Sequence, residues 1–60
     1  MLTQAELTDV RDTLSAAKAL IASVRARLLS GGDIPAARML NEIVHCLEDE
    51  IAALDKAIQP

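Results

Sequence analysis

The sequence has no aromatic residue, and it is poor in the residues that build cross-links and turns. Its 60 residues include no Phe, Tyr or Trp, one cysteine, two glycines and two prolines. The missing aromatic residues are the side chains that bury most surface in a small core. A single cysteine cannot form an internal disulfide, and it suits a reducing compartment. A chain this short therefore depends on association with other chains, or on a metal, for much of its stability.

The sequence also lacks long apolar runs and an excess of positive charge. No run reaches the length of a membrane span, and the start, MLTQAELTDV, has no basic region followed by an apolar stretch. We therefore expect a cytoplasmic protein that does not contact a membrane. The net charge of −3 argues against nucleic acid as a partner, because nonspecific binding needs clustered positive charge.

What the sequence has in quantity is alanine and leucine, eleven and nine residues respectively, which favour helix. The stretch from Thr3 to Glu6 fits a capping box at a helix start. From there apolar residues recur at alternating spacings of three and four, as the a and d positions of a heptad do. These residues are Leu7, Val10, Leu14, Ala17, Ile21, Val24 and Leu28. The pattern predicts a first helix over residues 3–30.

The stretch LLSGGDIPA marks the only break in this pattern. Gly31 is predicted to end the first helix in the left-handed conformation that favours glycine. Pro35 suits the first position of a second helix, with either Asp33 or Ile34 as its cap. The break therefore predicts a turn over residues 31–34.

A second ladder with the same spacing runs to the end of the chain. Its members are Ala37, Leu40, Val44, Leu47, Ile51, Leu54 and Ile58. They predict a second helix over residues 35–58, and so short a connection makes the two helices antiparallel neighbours. The predicted fold is all-α: a single domain, residues 1–60, that forms an antiparallel two-helix coiled-coil hairpin.

The heptad e positions of the two helices carry opposite charges. Antiparallel packing places e opposite e, so one flank of the hairpin should close with ion pairs and polar contacts. Exposed pairs of this kind contribute only about 0.2–1 kcal/mol each, so they fix register more than they add stability. The predicted cross-helix pairs are Arg11 with Asp55, Lys18 with Glu48, and Arg25 with Asn41.

The opposite flank of the hairpin is apolar. Burying one Leu or Ile contributes roughly 1.5–3 kcal/mol, more than any rim charge pair, and two helices alone cannot cover this stripe. We therefore expect a partner interface here, with the hairpin assembling into a four-helix bundle with itself or with another protein. The residues that form this predicted interface are Leu20, Met39, Ile43, Cys46, Ala16 and Ala53.

The sequence contains no convincing catalytic, cofactor or metal site. Glu42 and His45 have the spacing of a carboxylate–histidine metal pair, but the heptad places both on the outer face of the second helix. His45 and its neighbour Cys46 point about 100° apart on a helix, so they do not form a base–nucleophile pair. No glycine-rich phosphate loop is present. We predict a protein that is not an enzyme and has no cofactor, metal or small-molecule substrate.

The turn Leu28–Asp33 and the later pair Leu47-Glu48 resemble features of small co-chaperones of type III secretion needle subunits. That family consists of two-helix hairpins, although Pro35 departs from its pattern. The resemblance implies a hairpin that docks its apolar face on a helical-repeat chaperone. It favours a non-catalytic protein–protein interaction module, such as a secretion co-chaperone or adaptor.

The architecture alone also resembles the plasmid copy-number regulator Rop, without a motif in common. That resemblance implies a homodimeric four-helix bundle that can contact RNA. The absence of aromatic side chains for base stacking argues against the RNA contact. A Rop-like homodimeric regulator is the alternative function.

Overall fold

The computed structural model describes residues 1–58 and contains two long helices packed as an antiparallel hairpin. Helix α1 spans Gln4–Ser30 and helix α2 spans Ile34–Ala57. The molecule measures 43 × 18 × 14 Å, and its long axis matches the roughly 40 Å length of a 27-residue helix. The predicted two-helix hairpin is confirmed. The turn is one residue shorter than predicted and covers residues 31–33.

The capping box at the start of α1 forms as predicted. The Thr3 hydroxyl accepts a hydrogen bond from the Glu6 amide at 3.1 Å, and the Glu6 carboxylate accepts one from the Thr3 amide at 2.9 Å. The bond from the Thr3 backbone is the main reason that the pKa of Glu6 lies below its ordinary value. The cap therefore contributes fully above that ordinary pKa, and its contribution falls as the pH drops through the lowered value.

The bend is a Schellman motif, in which glycine takes a left-handed conformation just past the helix end. The amide of Asp33 donates to the Leu28 carbonyl at 2.9 Å, and the amide of Gly32 donates to the Leu29 carbonyl at 3.1 Å. The left-handed residue is Gly32, with φ +83°, whereas Gly31 keeps a right-handed φ of −82°. The prediction that Gly31 would be left-handed was wrong by one residue, because α1 continues its helical path through Gly31.

The start of α2 is capped by Asp33. Its carboxylate accepts a hydrogen bond from the Ala36 amide at 3.3 Å, so Ile34 is the first helical residue rather than the cap. Pro35 is then the second helical residue, not the first as predicted. The position tolerates proline equally well, because the first four amides of a helix have no partner within it.

The two neighbouring glycines should respond in opposite ways to alanine. Gly32→Ala is expected to lower the free energy of unfolding by about 1–2 kcal/mol, because an alanine at this φ is strained although nothing lies within 4 Å of its added Cβ. Gly31→Ala is the matched control and is expected to raise stability by about 0.4–1 kcal/mol, because its backbone is already helical. Urea unfolding followed by circular dichroism measures both, and equal effects would contradict this description of the bend.

The contact between the helices is a thin apolar seam. Within residues 1–58 only Ala37 and Val44 are buried, and both lie on α2. The remaining seam residues are half-buried. They are Leu7, Leu14, Ala17, Ile21, Leu28, Leu40, Leu47, Ile51, Leu54 and Ile58. A seam of this depth uses the a and d positions of α2, as the sequence predicted.

On α1 the seam keeps the predicted a positions but is rotated from the d positions towards e. Val10 and Val24, at d, are exposed, whereas Arg11, Lys18 and Arg25, at e, are half-buried. Long basic side chains can lay their aliphatic stems over an apolar seam while their charged ends reach polar groups beyond it. The e positions of α1 therefore cover the seam, and two of its three d positions turn outward, whereas the third, Ala17, stays half-buried.

Candidate protein-interaction surface

The flank of the hairpin that carries the e positions is closed by polar contacts, and we call it the charged flank. Arg11 Nη1 lies 3.1 Å from Asp55 Oδ1, and Arg11 Nη2 lies 3.1 Å from Asp12 Oδ1. The hydrogen bond to Asp55 is the larger cause of a raised pKa at Arg11. Nearer the bend, Arg25 Nη1 donates to Asn41 Oδ1 at 2.7 Å. Both of these predicted cross-helix contacts are present, and they fix the register of the hairpin.

The predicted pair between Lys18 and Glu48 does not form. No ion pair within 4.0 Å joins them, and Glu48 Oε1 instead lies 3.9 Å from Nδ1 of His45 on its own helix. An exposed lysine gains little from a single carboxylate and loses rotamer freedom when it is held. The half-buried stem of Lys18 stays on the seam without this ion pair.

The opposite side of the hairpin carries large exposed apolar side chains, and we call it the apolar flank. Leu20 is 70% exposed, Met39 64% and Ile43 40%. Cys46 is an exposed free thiol. The predicted interface residues Ala16 and Ala53 are exposed beside them.

The structure adds one large residue to this surface that the sequence placed elsewhere. Val24 was predicted to lie in the seam, but the rotation of α1 leaves it exposed at a d position adjacent to g. The signal that could have identified it is the run of long basic residues at e, at Arg11, Lys18 and Arg25. Such residues compete with d for the seam.

Two opposite charges flank the centre of the apolar flank symmetrically. Leu20 and Ile43 occupy g positions near its middle, and Arg27 and Glu50 are the next g positions along their helices. Because the helices are antiparallel, Arg27 lies about 10.5 Å towards the bend and Glu50 about 10.5 Å towards the open end. In the part of the chain that the structure describes, neither belongs to an ion pair within 4.0 Å.

The hairpin exposes more surface than a compact protein of its size. Its accessible surface is 4418 Å², whereas a compact 6.4 kDa protein is expected to expose about 3,800 Å². The difference, about 600 Å², approaches the roughly 800 Å² that one partner contributes to a standard protein interface. Packing one further face of the hairpin against a partner would lower its accessible surface to the value expected for a compact protein of this mass.

The polar outer face of α2 does not bring metal ligands together. Within residues 1–58 no group of three His, Cys, Asp or Glu side chains could hold a metal ion. Glu42 and His45 are both exposed, and the contact of His45 is with Glu48. The sequence assigned no catalytic, cofactor or metal residue, and that assignment stays a prediction.

Comparison with known proteins adds no assignment. No protein-family model matches the chain, and no curated protein or solved structure matches it. Across residues 1–58, neither helix is long and apolar enough to cross a membrane.

Proposed function

We propose that this hairpin is a non-catalytic protein-interaction module that binds a helical partner through its apolar flank. The observation that carries the proposal is the exposure of Leu20, Met39 and Ile43 on one side of a hairpin that has two buried residues within residues 1–58. Packing a further pair of helices on this flank completes a four-helix bundle, and each buried Leu or Ile then contributes roughly 1.5–3 kcal/mol. The resemblance to secretion co-chaperones and adaptors agrees with such a role.

A second copy of the chain is the partner that the charges favour. A two-fold axis near Leu20 and Ile43 would set two hairpins antiparallel, with the bend of one beside the open end of the other. Arg27 of each copy would then lie at the level of Glu50 in its partner, twice in each dimer. A parallel arrangement would place like charges together at both levels, which is unfavourable. This homodimer corresponds to the Rop-like alternative, without requiring RNA.

Sedimentation equilibrium across a hundredfold range of concentration tests the proposal, with circular dichroism on the same samples. We expect a dimer of full helicity. Arg27→Glu and Glu50→Arg should each weaken dimerisation roughly three- to tenfold by replacing two exposed pairs with like charges. The double variant should restore most of the affinity.

Two other outcomes would contradict self-association or the interface itself. A monomer of reduced helicity would contradict self-association and favour a different protein as the occupant of the apolar flank, because coupled folding leaves the lone chain incomplete. A fully helical monomer at every concentration, stable without any partner, would contradict the apolar flank as an interface.

A further inference from the structure

A recess lies at the bend end of the hairpin, on the charged flank and away from the apolar flank. It is a groove of about 410 Å³ between the last turns of α1 and the first turns of α2. This volume is at the lower end of the range for ligand sites, about 300–1,000 Å³. The side chains that line the groove are Arg25, Leu29, Ile34, Ala37, Arg38 and Asn41.

The polar side chains of the groove offer donors and almost no acceptor. Arg25 donates one N–H to the Asn41 carbonyl oxygen at 2.7 Å, and that oxygen is the single side-chain acceptor of the lining. The other guanidinium N–H groups and the Asn41 amide N–H groups remain donors. Within residues 1–58, neither Arg25 nor Arg38 has a carboxylate within 4.0 Å.

The charge of the groove is opposite to that of the whole chain. The chain carries −3, yet residues 18–41 hold four basic residues and one acidic residue. That acidic residue, Asp33, caps α2 through the Ala36 amide and does not line the groove. Glu42, one turn beyond Arg38 on α2, does not line the groove and forms no ion pair with Arg38 within 4.0 Å. An anion that enters the groove therefore meets two guanidinium groups that have no ion-pair partner within residues 1–58.

The remaining lining is apolar and open to solvent. Leu29 is 51% exposed and Ile34 42% exposed, while Ala37 is buried beneath them. A ligand that fits must combine an anionic group for the arginines with a branched apolar group for Leu29 and Ile34. A guanidinium matches a carboxylate through two parallel N–H···O bonds.

We propose that the groove binds the C-terminal carboxylate of a peptide whose last residues are apolar. The open side of the groove lets a peptide chain continue outward, whereas a free aliphatic carboxylate would leave much of its tail in water. Arginine clusters recognise acidic groups of peptides, and other peptide-binding sites capture a terminal carboxylate with clustered N–H donors. The site is independent of the apolar flank, and it stays open when that flank is covered.

An NMR titration of the ¹⁵N-labelled full chain tests this assignment. The probe is the tripeptide acetyl-Ala-Leu-Leu with a free carboxylate, and its C-terminal amide is the matched control. The free acid should cause saturable shifts at the backbone of Leu29 and Ile34 and at the side-chain N–H groups of Arg25, Arg38 and Asn41. The amide should bind at least tenfold more weakly.

Variants separate binding in the groove from a general effect of positive charge on the chain. Arg38→Gln should weaken binding at least fivefold without disturbing the hairpin, because the structure gives Arg38 no partner within residues 1–58. Lys56→Gln removes one positive charge from an exposed position at the open end of the hairpin, outside both the groove and the apolar flank, so its affinity should match that of the original chain. Recording the titration again with Ile43→Asp shows whether the site survives loss of the apolar flank.

Several results of these titrations would contradict the proposed peptide site. Equal binding of acid and amide, equal loss in the Lys56 and Arg38 variants, or shifts centred on Leu20 and Ile43 would overturn the proposal. Octanoate that binds as tightly as the tripeptide would overturn the choice of a peptide and identify a small carboxylate instead. Failure of the groove leaves the proposed role of the apolar flank intact, because the two surfaces share no residue.

Discussion

Ile43→Asp is expected to abolish association of the hairpin while leaving the isolated chain as helical as before. Ile43 lies at the centre of the apolar flank, is 40% exposed in the single hairpin and occupies a g position beside the a and d seam of α2, so the substitution leaves the seam residues in place. In the assembled bundle the new carboxylate would be buried without a partner, which is strongly unfavourable. We expect association to weaken at least a hundredfold, or by about 2.8 kcal/mol.

The measurement is molar mass by sedimentation, with helicity compared at a concentration where both proteins are monomeric. Ala52→Asp is the matched control, because it adds the same charge to an exposed position on the other side of α2. It should leave association unchanged. Assembly that persists in Ile43→Asp would remove Ile43 from the interface, and equal losses in both variants would point to net charge as the cause.

The sequence predicted the hairpin because its signals are local. The capping box at Thr3, the two glycines at the bend and the ladders of apolar residues each depend on neighbours within a few positions. Local signals of this kind determine where helices begin and end. These local signals placed two features one residue off. The left-handed residue is Gly32 rather than Gly31, and Pro35 is the second helical residue rather than the first, because glycine at either position permits the turn and both helical positions tolerate proline.

The rotation of α1 was harder to predict, because it depends on a competition between two helix faces. The a positions lie in the seam in either case, and the competition is between the d and e positions for the place beside them. The apolar side chains of Val10 and Val24 favour burial of the d positions. Arg11 and Arg25, however, make their cross-helix contacts with Asp55 and Asn41 only when the e positions lie at the seam. That gain appears only once the second helix is in place.

The groove at the bend could not be read from the sequence for a related reason. Its two arginines come from different helices, 13 residues apart, and its apolar wall joins Leu29 to Ile34 across the bend. In the sequence Arg25 and Arg38 are two separate basic residues, and only the folded hairpin brings them to the same groove. The apolar flank, by contrast, follows from spacing within each helix, and the residues predicted to form it are exposed in the hairpin.

Val44→Asp is expected to unfold the hairpin, although it is only one residue from Ile43. Val44 is 6% exposed and is one of two buried residues within residues 1–58, so a carboxylate there would be desolvated against the opposite helix. A domain of 60 residues is expected to be stable by only about 3–9 kcal/mol. An unpaired charge in the seam costs at least about 3 kcal/mol.

Thermal unfolding followed by circular dichroism should show the loss of cooperative helix in Val44→Asp, and Val44→Ala serves as the size control. The alanine variant should stay folded and lose about 1–3 kcal/mol of stability. A folded Val44→Asp hairpin would mean that the seam does not run through this residue. Opposite outcomes at two adjacent residues, loss of the partner at Ile43 and loss of the fold at Val44, would separate the surface that binds from the surface that folds.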